Sequence, residues 1–279
     1  MENVQLVQGI KIENAGRVLY SQENNVIKIA VPANESGKVK INSEEGMELK
    51  ISVEKAASLD FIIESNCKEI KEVKCEIILE EDAKLKMKEL HLGNVSIKNT
   101  LTCKKGSIVT RQFTNISSGK VNVILDCFLV GEGADFSDEE VHFGAKKGAS
   151  ENRINVDHKA SNTKSLIRVK GACKDASKNK ILGMVRVDKN TENANTFLSA
   201  HMLMLDKDAE ASAIPALEIE SAEVQAGHAA SVSTIDEDQL FYVSTRGITE
   251  DEAKKEIVKG FLVDLVCEQK IGELIEAAW

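Results

Sequence analysis

Tryptophan, proline and tyrosine are the scarcest residues here: Trp279, Pro32, Pro215, Tyr20 and Tyr242 are all there is of the three in 279 residues. Sandwiches and barrels usually mark their turns with more proline than this. Aromatics make up 4% of the chain, leaving few platforms for stacking bases or lining a saccharide groove. The formal charge of -9 opposes sequence-independent binding to nucleic acid, which needs clustered Lys and Arg. No apolar run reaches the ~18 residues of a membrane span. Met1 to Gln8 has no basic stretch leading into an apolar one, so neither a signal peptide nor a membrane anchor is expected, and the cytoplasm is the expected location. No GxxxxGK[ST] loop occurs, so this chain is expected to bind no nucleotide and any ATP-driven step falls to another polypeptide. The six cysteines contain no CxxC pair; they are expected to be free thiols, most of them small core hydrophobes.

What is present is a rhythm of short turns. Asp82-Ala83, Gly93-Asn94, Lys105-Gly106, Ser118-Gly119, Gly131-Glu132-Gly133, Lys147-Gly148, Ser161-Asn162, Asp175-Ala176, Asn190-Thr191, Asp208-Ala209 and Ser221-Ala222 recur at intervals of about 11 to 17 residues. That spacing fits a strand plus a turn, not a helix pair. Between them lie β-branched and aliphatic segments such as 121–125 and 166–169. Many short strands at even spacing favour a β-solenoid, each coil burying its inward residues against the next and both open ends needing cover. The expected organisation is an N-terminal extension over 1–40, a solenoid core over 41–235 and a helical segment over 236–279.

The change of pattern at 236 has helix signals. Acidic residues open the run from Asp236, Arg246-Gly247 closes it, and Thr249 with Glu252 forms a capping box. Ala253, Ile257, Val258, Phe261, Leu262 and Leu265 follow at helical spacing, predicting a second helix over about 250–266 that continues, with a break near Gly272, to Trp279. Such a stripe either caps the solenoid's end or docks a partner.

Ile-Pro-Ala-Leu-Glu-Ile-Glu from Ile214, Gly-His-Ala-Ala-Ser-Val-Ser-Thr-Ile from Gly227, Asp-Glu-Asp-Gln-Leu-Phe-Tyr from Asp236 and the closing Ser244-Thr245-Arg246-Gly247 together resemble the C-terminal signature of the SufB and SufD proteins. Gly131–Ala134 and His158–Asn162 also look like that family's core, so the resemblance covers roughly 120–279. It implies a mainly β chain with a right-handed parallel β-helix core, acting as a non-enzymatic scaffold for transient iron–sulfur clusters. It further implies docking of a SufC-type ABC ATPase on the terminal helices, where Leu240, Phe241, Tyr242, Ile257 and Phe261 are the candidates. Scaffold subunits of the family pair through their C-terminal strands, and acceptor proteins take the cluster. Without the helical N-terminal region of longer relatives, the chain resembles a minimal archaeal and bacterial form that is expected to pair with a second copy of itself. A purely structural module that binds the ATPase but no metal is the competing reading.

His228 matches the histidine that the family places between subunits, and an imidazole there suits a cluster that is assembled and then released. The plain alternative is a buried, hydrogen-bonded histidine. Two departures alter the ligand set. Ala229 stands where SufB proteins carry Glu, and the SufB-type cysteine position, fifteen residues before Pro215, is Ala200. His201 is adjacent to the lost thiolate, though neighbours on a strand face opposite ways. Glu218 and Glu220 share a face and suit hard metal ions, or else form an ordinary solvated surface. Among the thiols, Cys173 lies near Lys170 and Lys174, whose charges would favour a thiolate, and it ranks with Cys103 ahead of Cys127 and Cys267.

Overall fold

The computed structural model describes residues 3–7, 10–23, 26–265 and 269–279, with side chains from residue 15 to 265 apart from 24–25, and from 271 onward. The strands are β1 (Asn3–Val7), β2 (Ile10–Gly16), β3 (Leu19–Glu23), β4 (Val26–Val31), β5 (Ser36–Ser43), β6 (Met47–Val53), β7 (Ser58–Leu79), β8 (Lys84–Cys103) and β9 (Ile108–Ser117). They continue as β10 (Lys120–Leu129), β11 (Asp135–Gly144), β12 (Ala149–His158), β13 (Lys164–Cys173), β14 (Lys178–Val187), β15 (Ala194–Met204), β16 (Glu210–Ile219) and β17 (Val224–Thr234). Helices α1 (Glu237–Ser244), α2 (Glu250–Val263) and α3 (Gln269–Ala278) end the chain.

From β4 onward, each strand's next parallel neighbour is the strand one coil further on. Sheet A runs β4, β6, the second halves of β7 and β8, then β10, β12, β14 and β16. Sheet B runs β5, the first halves of β7 and β8, then β9, β11, β13, β15 and β17. The result is the parallel β-solenoid that the turn rhythm implied. Alternation makes each strand two-sided: along β10, Val121, Val123, Leu125, Cys127 and Leu129 are buried in the lumen while the residues between them point outward. Ladder and lumen fix the register together, because a slip of one residue would turn every inward side chain to solvent.

The turn residues stack as well. Asn34, Ala56, Asp82, Gly106, Gly133, Asn162 and Asn193 all have positive φ and occupy one corner, coil after coil. Each amide donates to a carbonyl on the following coil, as from Asp82 to Lys105 at 2.8 Å and from Asn162 to Glu192 at 2.8 Å. Asn and Asp enter this left-handed region more readily than other residues with side chains. Gly131 is required for a different reason, since a Cβ there would lie 1.9 Å from the Lys105 amide nitrogen.

The N-terminal strands pair antiparallel, β1 with β2, β2 with β5, and β3 with β4, which covers the edge strands of the first coil. The C-terminal edge is left open. The helices do not close it, contrary to the end-cap expectation: Val258, Leu262, Leu265, Ile271 and Ile275 pack on the flank of sheet B against Ile116, Val141, Phe143, Ala172 and Leu203. Trp279 stacks on Phe143 with ring centroids 6.0 Å apart and donates to Asp251 at 2.9 Å, fastening the C-terminus to α2. The break between the helices also differs from the sequence expectation. α2 ends at Val263 and α3 begins at Gln269, with Gly272 inside α3 facing the Lys259 side chain. Cys267 lies outside the described residues.

The lumen is apolar at most levels but has a charged middle. Arg111 is fully buried; its Nε donates to Glu89 at 2.6 Å and its Nη1 to Glu140 at 2.6 Å and Asp138 at 2.9 Å. Burial would raise the carboxyl pKa of Glu89, but Arg111, His91 and Asn99 outweigh it and hold the group at about 2. Further along, His158 is neutral: burial lowers its pKa to about 4, and its ring nitrogens meet Thr163 Oγ1 at 2.8 Å and Ser165 Oγ at 2.9 Å. A histidine with a depressed folded pKa gives stability that is complete above the unfolded value of ~6.5 and is lost as pH falls toward the folded one, because the unfolded chain takes up the proton first. Between neutral pH and about pH 4 the wild type should therefore lose up to about 3 kcal/mol relative to His158→Gln. Urea titrations of both proteins at each pH measure the difference, and parallel profiles would exclude the neutral histidine.

Candidate functional site

The open end is built by β16 and β17, neither of which contains a buried residue. Small and polar residues dominate β17, so the last coil covers the coil before it without a further lumen layer to fill. Pro215 stands on β16, where the missing amide is tolerated because sheet A ends there. Ile214, Ile219 and Val232 are exposed in this coil, Ile214 to 52%.

His228 is in register with Leu198 of β15, a lumen-facing core residue, and so faces the lumen side of the last coil. With no coil beyond it, the imidazole is exposed. Ala200 is buried on the same side, in register with Ala230, two residues along β17 from His228. His201 has the opposite parity: it lies on the outer face of sheet B, with Nδ1 2.8 Å from Ser231 Oγ. The two histidines are not brought together.

Glu218 faces outward on sheet A, accepting at 3.0 Å from Arg186 Nε, while Arg186 Nη1 also reaches Asp157 at 3.3 Å. Its carboxylate belongs to a surface ladder. The five described cysteines are all buried free thiols. Cys103 sits in the lumen on β8, several coils from β17. Cys173 ends β13, with Sγ 3.4 Å from the Glu210 carbonyl oxygen, and burial pushes its thiol up to about 11. The expected help from lysines fails because Lys170 faces outward to Asp264, 2.8 Å away, and Lys174 contacts Asp175 and the Trp279 ring. Among the described residues no group of three or more His, Cys, Asp or Glu side chains is placed to hold a metal. One exposed imidazole can supply one nitrogen ligand, and the rest of a coordination sphere has to come from outside this coil.

Beyond the last coil, Asp236 caps α1, its side chain accepting from the amides of Asp238 and Gln239. Nothing on α1 is buried, and Phe241 and Tyr242 are 72% and 60% exposed. On α2 the stripe is spent on the chain's own sheet: Ala253, Val258 and Leu262 are buried, and Ile257 and Phe261 are half-buried. No described helix is long and apolar enough to cross a membrane.

The Arg111 cluster is absent from the sequence expectations. A signal for it existed in the phase of alternation, because Arg111 falls between the inward Val109 and Phe113, and Asp138 and Glu140 follow the inward Phe136 at the same parity.

Compared with known proteins, residues 38–261 match the sequence model described as "SUF system FeS cluster assembly, SufBD core domain". The match begins well before the 120–279 region that carries the motifs and stops short of α3. A protein of Staphylococcus saprophyticus named as an iron–sulfur cluster assembly SufBD family protein is 31% identical over 192 residues, covering 67% of this chain and 41% of the relative. A protein of the same description from Staphylococcus aureus strain USA300 is 30% identical over 192 residues, with the same coverage. The chain thus spans about two-fifths of the length of these curated relatives.

Proposed function

The chain belongs to the SufBD core-domain family of the SUF iron–sulfur cluster assembly system, and on that premise we propose that it is a cytoplasmic scaffold on which clusters are assembled and passed to acceptor proteins. The observation that carries this reading is the last coil, with an exposed histidine on its lumen face and both sheets ending in strands that, among the described residues, have no further neighbour. Such edges invite strand pairing with another chain. We take that chain to be a second copy, since a closed two-fold contact sets one patch against itself and brings His228 of each copy to the axis. Ligands from two copies, together with sulfide, then complete what one chain cannot. His228 is the residue this arrangement favours. His201, from the outer face, and Glu218, already paired with Arg186, are secondary, and Cys173 and Cys103 reach a cluster only if their coils open.

Wild-type protein purified without oxygen tests the reading through its iron and acid-labile sulfide content beside its oligomeric state. A dimer carrying both supports it. A dimer that binds the ATPase but takes up neither iron nor sulfide on reconstitution would favour the purely structural module.

The ATPase, a SufC-type partner, is proposed to dock on α1 through Phe241 and Tyr242 with the half-buried Leu240 beside them, because aromatic side chains this exposed on a short helix are the form a helix-in-groove contact takes. The double substitution Phe241→Ser with Tyr242→Ser should weaken ATPase binding by at least about tenfold, or about 1.4 kcal/mol, and leave the melting temperature unchanged. Calorimetric titration with the ATPase and a thermal melt measure the two effects against the wild type. Unchanged affinity would move the docking surface elsewhere.

A further inference from the structure

We infer that the solenoid interior is a proton-binding site at neutral pH, with an undissociated carboxyl on Asp138 that shares its proton with the carboxylate of Glu140. Glu89, Asp138 and Glu140 are fully enclosed around one guanidinium, that of Arg111. Three bare carboxylates outnumber that fixed cation by two; a charged His91 beside Glu89 would offset one of them, but the buried Nδ1 of His142 has no partner to accept from a second N–H, so one proton is left for the carboxyls.

The donors decide where a proton goes. Glu140 accepts from Arg111 Nη1 at 2.6 Å and from Asn152 Nδ2, and lies 2.9 Å from His142 Nε2. Glu89 accepts from Arg111 Nε at 2.6 Å and Asn99 Nδ2 at 2.9 Å, with His91 Nε2 3.3 Å away. Asp138 has a single donor, the same Arg111 Nη1 that serves Glu140, at 2.9 Å and 3.2 Å from its two oxygens. Two carboxyls two residues apart on one strand and bound to the same Nη1 repel each other, which disfavours ionising both. Glu140, with more donors around it, keeps the charge, and Asp138 takes the proton.

The other titratable groups around Asp138 do not alter that choice. Cys127 faces it from β10 as a buried thiol, and the residues in register on β13, Ile167 and Val169, bring no charge. Burial and the neighbouring Glu140 raise the Asp138 pKa well above the usual range, against the pull of Arg111, while Arg111 and His142 hold Glu140 low in spite of its burial.

An asparagine is a near copy of an undissociated aspartic acid, since its amide nitrogen can donate to Glu140 while its oxygen accepts from Arg111. The test is therefore Asp138→Asn in the full chain. In the folded wild type the group keeps its proton at a pH where the unfolded chain has lost it, so stability is full below the unfolded pKa and declines as pH rises toward the folded one. The ratio of unfolding constants, wild type over Asp138→Asn, should then grow about tenfold per pH unit from about pH 5 to about pH 7. Infrared spectra at neutral pH should show the carbonyl stretch of an undissociated carboxylic acid in the wild type and lose it in Asp138→Asn. A flat ratio, a wild type lacking that band, a band that survives the substitution, or a variant that cannot fold would each overturn the assignment.

Discussion

Replacing Arg111 with methionine should destabilise the protein by roughly 3–5 kcal/mol, a large part of the ~5–15 kcal/mol that holds a typical domain together. The loss does not come from missing apolar contact, because methionine fills much of the same volume. It comes from leaving Glu89 and Glu140 buried and ionised after the guanidinium that both contact at 2.6 Å is gone. The variant can relieve the strain only by taking up protons, so the sign of its pH dependence is fixed. Glu89 is held at about 2 with Arg111 present; without it that pKa must rise, and the deficit should shrink as pH falls from neutral toward the ordinary carboxylate range. Urea unfolding of the two proteins at several pH values reads both effects. A loss below about 1 kcal/mol at neutral pH would mean that the cluster neutralises itself through its histidines and that Arg111 is not its keystone.

This cluster also marks the limit of what the sequence disclosed. The coil rhythm was legible because each corner needs a residue that tolerates positive φ, and Asp82, Gly106, Gly133, Asn162 and their counterparts are chemically conspicuous. The caps at Asp236 and Thr249 were legible for the same reason, being short-range patterns. What joins Glu89, Arg111 and Asp138 is register between coils, and the coil length is not constant. Equivalent positions lie 22 residues apart between Ser36 and Ser58, and 31 apart between Lys164 and Asn195. A repeat that drifts by this much hides which charges meet. The misjudged setting of Cys173 has a related origin: Lys170 and Lys174 are close in sequence, but the alternation of β13 and the turn after it send their charges away from a thiol that faces the lumen. The helical stripe was read correctly as apolar, yet sequence alone did not distinguish the flank of sheet B from the end of the solenoid, because both present aliphatic surface.

His228→Ala should abolish cluster acquisition while leaving the fold within about 0.5 kcal/mol of the wild type, because the side chain is exposed and removing it uncovers little. Its neighbours along β17, Gly227 and Ala229, are small. A histidine retained for packing would give the opposite pattern, with the melting temperature or the dimer lost first and the cluster lost as a result. Cys173→Ser provides the contrast: its thiol is buried, stays protonated at neutral pH and donates to a backbone carbonyl, so a hydroxyl in its place should keep that bond and leave loading intact. Reconstitution with iron and sulfide under argon, followed by visible charge-transfer absorption and a thermal melt for each protein, separates the two roles. Loading by His228→Ala equal to that of the wild type would remove the histidine from the site. Loss of loading in Cys173→Ser alone would instead mean that the coil around β13 opens to present a thiolate, placing the cluster inside the solenoid instead of at its uncovered end.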